Sequence, residues 1–169
     1  VAALSIGAIP VVFFELLWAH NKTGAVGFFA LRFAEALCFA FGAVALQALV
    51  GLADGAGEAA AQMEMGVIAG LAISVSLDLF NLGPGLFFSL SAVLLGTMLW
   101  RSGLVPAWLA IWKLVGGVLF FVQSGLILFE LATPLIESTL YLPIAVNEMV
   151  FALWLLVRGF NRQAVATLA

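Results

Sequence analysis

Apolar residues run along this chain in long blocks rather than alternating with polar ones, and the blocks are set apart by short polar or Gly/Pro breaks. Crossing about 30 Å of hydrocarbon takes roughly 20 helical residues at 1.5 Å each. Six blocks approach that size, at residues 2–18, 25–52, 63–82, 84–101, 107–131 and 138–158. Between them lie the polar turn His20–Gly24, a loop over 53–62 carrying Asp54 and Glu58, the tripeptide Gly83-Pro84-Gly85, and two further loops over 102–106 and 132–138. The pattern predicts an all-α, polytopic membrane helix bundle of six transmembrane helices forming a single domain, closed by a short polar tail from Gly159. The boundary between the third and fourth blocks turns on that Gly-Pro-Gly tripeptide. As one helix, residues 63 to 101 would measure about 58 Å, far more than a bilayer needs. Gly-Pro-Gly is therefore expected to be a turn, with Pro84 near the first position of the next helix. Were the two blocks one re-entrant unit instead, the count would fall to five and the side of the first turn would flip.

With six alternating crossings, the loops over 53–62 and 102–106 and the C-terminus share one side, with Arg101, Arg158 and Arg162; the other side holds Lys22. Lys and Arg near helix ends favour the cytoplasmic side, so the C-terminus is expected to be cytoplasmic. Composition agrees. Hydrophobic residues make up 65% of the chain and charged ones 9%, against roughly 45–50% and about 25% in a soluble domain. No basic run could track phosphates, so no nucleic-acid partner is expected. The lone Cys38 cannot form an intramolecular disulfide and reads as a small buried hydrophobe. The chain starts at Val1 inside an apolar run with no basic n-region, which points to a missing upstream segment rather than a signal peptide.

Ionisable residues inside apolar blocks mark the interior of a membrane protein. Arg32 and Glu35 stand at i and i+3 on the second block and can pair along one face. Glu15 lies at a comparable distance from the first turn, so a Glu15–Arg32 bridge between the first two helices is expected. Asp78 and Asn81 close the third block, and Asn147 with Glu148 lies about ten residues into the sixth. Under the six-crossing scheme all of these share one half of the bundle. Four carboxylates (Glu15, Glu35, Asp78, Glu148) would then surround one guanidinium, and the surplus would be protonated, paired with a cation or open to water. Gly66, Gly70, Ser74 and Asp78 recur every four residues, a small-residue ridge that would carry Asp78 into a helix contact. Lys113 shares a face with Gly116, Gly117 and Ser124; snorkelling to the interface and an inward role are equally good readings of it. Ser74, Lys113 and Gln123 are secondary candidates. Trp18, Trp100, Trp108 and Trp112 fall near helix ends, as interfacial anchors do.

Three segments carry a resemblance: Ala30–Cys38 (ALRFAEALC), Leu99–Gly117 (LWRSGLVPAWLAIWKLVGG) and Pro143–Phe160 (PIAVNEMVFALWLLVRGF). They resemble the bacterial multi-pass family known as domain of unknown function 4386, over nearly the whole chain from about Val12. The resemblance implies one further helix upstream, hence seven in the full protein, and brings no activity with it.

Catalytic chemistries lack their parts. His20 is the single histidine and sits in a turn, which leaves haem, zinc and His-based triad sites without ligands, and no Gly-x-Ser-x-Gly elbow is present. No metal, cofactor or enzyme activity is expected. Two readings remain. The first is a bundle whose polar interior binds or conducts a proton, a cation or a small polar ligand, as a sensor or narrow pathway; no inverted repeat supports an alternating-access carrier. The second is a structural or accessory subunit of a larger membrane complex or homo-oligomer, with lipid as its other partner.

Overall fold

A single residue, Asn21, separates the first two helices, α1 (Ala2–His20) and α2 (Lys22–Asp54). Its side-chain oxygen accepts from the Gly24 amide at 3.1 Å, which satisfies one of the free N–H groups at the start of α2. The computed structural model describes residues 2–54 and 59–168; Val1 and Glu58 lie outside them. The remaining helices are α3 (Ala59–Leu82), α4 (Ser89–Ser102), α5 (Ala107–Leu128), α6 (Pro134–Val157) and α7 (Arg162–Leu168). The polar tail is thus partly helical. Among the described residues, four stretches are long and apolar enough to cross a membrane: Lys22–Ala48, Gly66–Ser102, Ala107–Leu128 and Pro134–Val157.

The expected turn at Gly83-Pro84-Gly85 is not there. Residues Gly83–Phe88 form a π-helical stretch that joins α3 to α4 without a break. Proline removes a donor and crowds the preceding turn of an α-helix, and the wider π turn absorbs both effects. Neighbouring helices hold this stretch in place. A methyl on Gly83 would come within 3.1 Å of Cys38 Cβ on α2, and one on Gly85 within 2.7 Å of Ser124 Oγ on α5. The two glycines let the stretch wedge between α2 and α5. The third and fourth predicted blocks are therefore one helical column, and the six-crossing count is not reproduced.

This column sets the register of the molecule. Gly96 approaches the α5 backbone at Ala110 and Leu114, Gly117 approaches Ser89 and Val93, and Gly116 approaches Ile144 of α6. Gly24 faces Met98, and the Asn161 amide bonds to Leu104 O at 2.9 Å. The α1–α2 turn, the α4–α5 loop and the start of α7 consequently lie at one end. That end holds Lys22, Arg101, Arg158 and Arg162, four of the six basic residues. It also holds Trp18, Trp100, Trp108, Trp112 and Trp154, with Lys22 stacked over Trp18 at 5.7 Å. The α5–α6 connection, with Glu130 and Glu137, lies at the opposite end.

The core packs mainly at the basic end, around Leu17, Phe28, Leu99, Leu104, Leu109 and Phe151. Toward the other end, Gly42 of α2 meets Phe80, while Gly85 already lies level with Ser124, four residues before the end of α5. The far halves of α2 and α3 therefore continue as a two-helix hairpin past the end of α5. Val44, Val50, Val67 and Leu71 are exposed on it.

Candidate functional site

Arg32 and Glu35 form the pair expected of their spacing. Arg32 Nη1 donates to Glu35 Oε2 at 2.7 Å, and both residues are buried, 6% and 4% exposed. One turn of α2 is enough to make this contact, so it was legible without any tertiary information.

A second ion pair joins helices that are distant in sequence. Lys113 Nζ of α5 donates to Glu148 Oε1 of α6. Lys113 is 1% exposed, so it does not snorkel; its ammonium also lies 4.5 Å from the centroid of the Phe151 ring. Glu148, by contrast, keeps 39% of its side chain exposed. Both residues line a cavity of about 50 Å³ together with Arg32, whose guanidinium lies 5.4 Å from the Phe88 ring centroid. Most of the other lining is apolar, with Phe13, Phe28 and Leu95 among it and the Ser91 hydroxyl as an exception. Arg32 Nε finds no hydrogen-bond partner among the described residues.

Next to this cluster, Asn147 is fully buried and donates to the Leu109 carbonyl at 3.2 Å, while its own carbonyl oxygen has no partner among the described residues. This bond ties α6 to the first turn of α5. Gln123, further along α5, is buried with Oε1 unpartnered among the described residues. A buried side-chain amide in an apolar bundle costs free energy unless it is bonded, so both residues mark the polar seam between α5 and its neighbours.

Other candidates lie elsewhere. Glu15 is exposed on α1, so the Glu15–Arg32 bridge does not form. Asp78, Asn81 and Ser74 are exposed on α3, and the Ser74 hydroxyl is spent on its own helix at Leu71 O. Among the described residues, no neighbouring atom lies within 4 Å of a methyl placed on Gly66 or Gly70. The small-residue ridge therefore points out of the chain rather than into a helix contact. In place of an acidic excess, the cluster balances two carboxylates against two cations. The change traces to the π-helical stretch: one column fewer puts the α1–α2 turn and the α4–α5 loop at the same end, which brings Lys113 to the depth of Arg32. Counting positions along α5 could have exposed Lys113 only if that parity were known.

Among the described residues no group of three His, Cys, Asp or Glu side chains could hold a metal ion. A wider groove of about 300 Å³ at the basic end, lined by Gly103, Trp154 and Arg158 among others, does not reach the cluster.

The fold and site together define an all-helical bundle, apolar enough to cross a membrane, with two ion pairs meeting at a small internal cavity. The chain belongs to the family described as Domain of unknown function (DUF4386), whose model it matches over residues 1–159. No curated protein and no solved structure matches it.

Proposed function

We propose that this is a multi-pass protein of the bacterial cytoplasmic membrane, without enzymatic activity, whose four-charge cluster senses or passes a proton or a small polar solute. One observation carries the reading: Glu148 is partly open while its partner Lys113 is sealed inside, and the Lys113 ammonium faces the cavity that Arg32 lines. Buried charges in an apolar bundle are costly and most often serve ion or proton traffic. Loss of the Glu148 charge would leave Lys113 as an uncompensated buried cation, so the state of Glu148 is coupled to packing and hydration around Lys113. With charges balanced two to two, the surplus carboxylates that favoured a cation are gone. The basic, Trp-rich end is assigned to the cytoplasm, with the C-terminus, because Lys22 joins Arg101, Arg158 and Arg162 there. The test is proton movement into vesicles containing the protein, followed with an enclosed pH-sensitive dye. Glu148→Gln is expected to abolish any response of the wild type. An unaltered response in a folded Glu148→Gln protein removes the proposal.

A second reading, an accessory subunit or homo-oligomer, is favoured by one feature. Asp78 and Asn81 are exposed on the outer face of a helix otherwise apolar enough for a bilayer, and polar groups placed so usually face another protein chain. Native mass measurement after gentle extraction decides it: a protein found strictly alone counts against this reading.

A further inference from the structure

The cavity between the two ion pairs is rich in unused donors. Lys113 has three ammonium protons, one of which bonds Glu148; Arg32 Nε has no partner among the described residues and its residue is buried to more than nine-tenths. The Ser91 hydroxyl proton is already committed to Phe88 O at 2.8 Å. Arginine and lysine offer no acceptor of their own, so a ligand that completes this lining must bring lone pairs. About 50 Å³ gives room for only a few water-sized molecules, each needing roughly 10–15 Å³ of such space. That excludes a phosphate ester or a lipid headgroup and fits a single small anion.

Charge makes occupancy conditional. With both carboxylates ionised, Arg32, Glu35, Lys113 and Glu148 sum to zero and an anion would enter a neutral, apolar site at a large desolvation penalty. With Glu148 protonated, the cluster carries one net positive charge and the Lys113 ammonium loses its partner. The charged groups facing Glu148 are Lys113 from α5 and Arg32 and Glu35 from α2, with Cys38 beside Glu35. The sides contributed by α1 and by the π-helical stretch and α4 are Ile9, Phe13, Phe88, Ser91, Ala92 and Leu95, none of which titrates in the working range.

We propose that the cavity is a binding site for a small monovalent anion of halide size, held between Lys113 and Arg32 and admitted when Glu148 takes up a proton. The inference rests on the reading of the cluster as proton-responsive and names the solute that accompanies the proton.

The experiment uses the full chain in lipid nanodiscs and bromide as the probe, titrated calorimetrically against gluconate at constant ionic strength. Saturable bromide binding is expected at acidic pH and about tenfold weaker binding at alkaline pH, a coupling of ordinary size for linked sites. Glu148→Gln, neutral at every pH, is expected to bind bromide equally at both. Because Arg32→Gln alone would strand Glu35, the paired change R32Q/E35Q keeps the helix neutral and is expected to lose binding. Absence of saturable binding to the wild type at low pH, or wild-type affinity in R32Q/E35Q, overturns the anion site. Infrared difference spectra report protonation of Glu148 separately, as a carboxylic-acid band missing from Glu148→Gln. A band without bromide binding overturns the anion site alone; no band at low pH overturns the proton reading as well.

Discussion

The packed bundle at the basic end and the α2–α3 hairpin that extends past α5 are built from the same materials and use them in opposite ways. Both contain glycine in apolar helices and both carry carboxylates. In the bundle, Gly96 lies so close to α5 that an added methyl would come within 2.9 Å of the Leu114 amide nitrogen, and Glu35 is closed against Arg32. In the hairpin, Gly66 and Gly70 meet nothing among the described residues and Asp78 is exposed. Hydropathy is blind to this difference because it records what a residue is, not what stands opposite it. A small residue permits close approach; only a neighbour makes use of it.

The comparison can be broken most forcefully at its carboxylates. Glu35→Ala leaves Arg32 buried without a partner and is expected to destabilise the protein by about 3–5 kcal/mol, whereas Asp78→Ala is expected to stay within about 0.5 kcal/mol. Reversible unfolding in mixed detergent, followed by tryptophan fluorescence, measures both. Equal losses would mean that Asp78 has a partner and that the two regions do not differ in kind. Glycines give the next largest contrast. Gly96→Ala should cost about 1–3 kcal/mol by forcing α4 and α5 apart, while Gly70→Ala should be neutral or stabilise by up to about 1 kcal/mol through helix propensity. The smallest expected effect sharpens the boundary at the α1–α2 turn: Asn21→Ala removes the cap on Gly24 and should cost about 1 kcal/mol, read as earlier exchange of the first α2 amides with the Lys113–Glu148 contact intact.

How much of the site could be read in advance follows from sequence distance. Arg32 and Glu35 are one helical turn apart, so helix formation alone brings them together. Lys113 and Glu148 are 35 residues apart, and their meeting depends on which way each intervening helix runs. That direction hung on one tripeptide. A turn and a continued helix are both open to Gly-Pro-Gly, because glycine accepts either backbone and proline fits a helix whose ladder widens locally. The choice was made by Cys38 and Ser124, which offer contacts that only side-chain-free positions can use. The same parity carried Asp78 into an expected pocket from which the structure excludes it, whereas the expectation for Glu15 rests on depth alone, and Glu15 is left out because it faces away on α1.

The chain's own sequence determined that it is helical, apolar enough for a bilayer, and obliged to hide an arginine and a glutamate on one face of its second helix, since these follow from transfer free energy and from the 3.6-residue period. Only the tertiary structure decided that Gly83–Phe88 continues the helix, that the basic residues outside the cluster gather at one end, and that Lys113 rather than Glu15 or Asp78 completes the charged core. Those outcomes depend on packing between segments tens of residues apart, where close approach at a few glycines selects one register among several that local propensity allows equally.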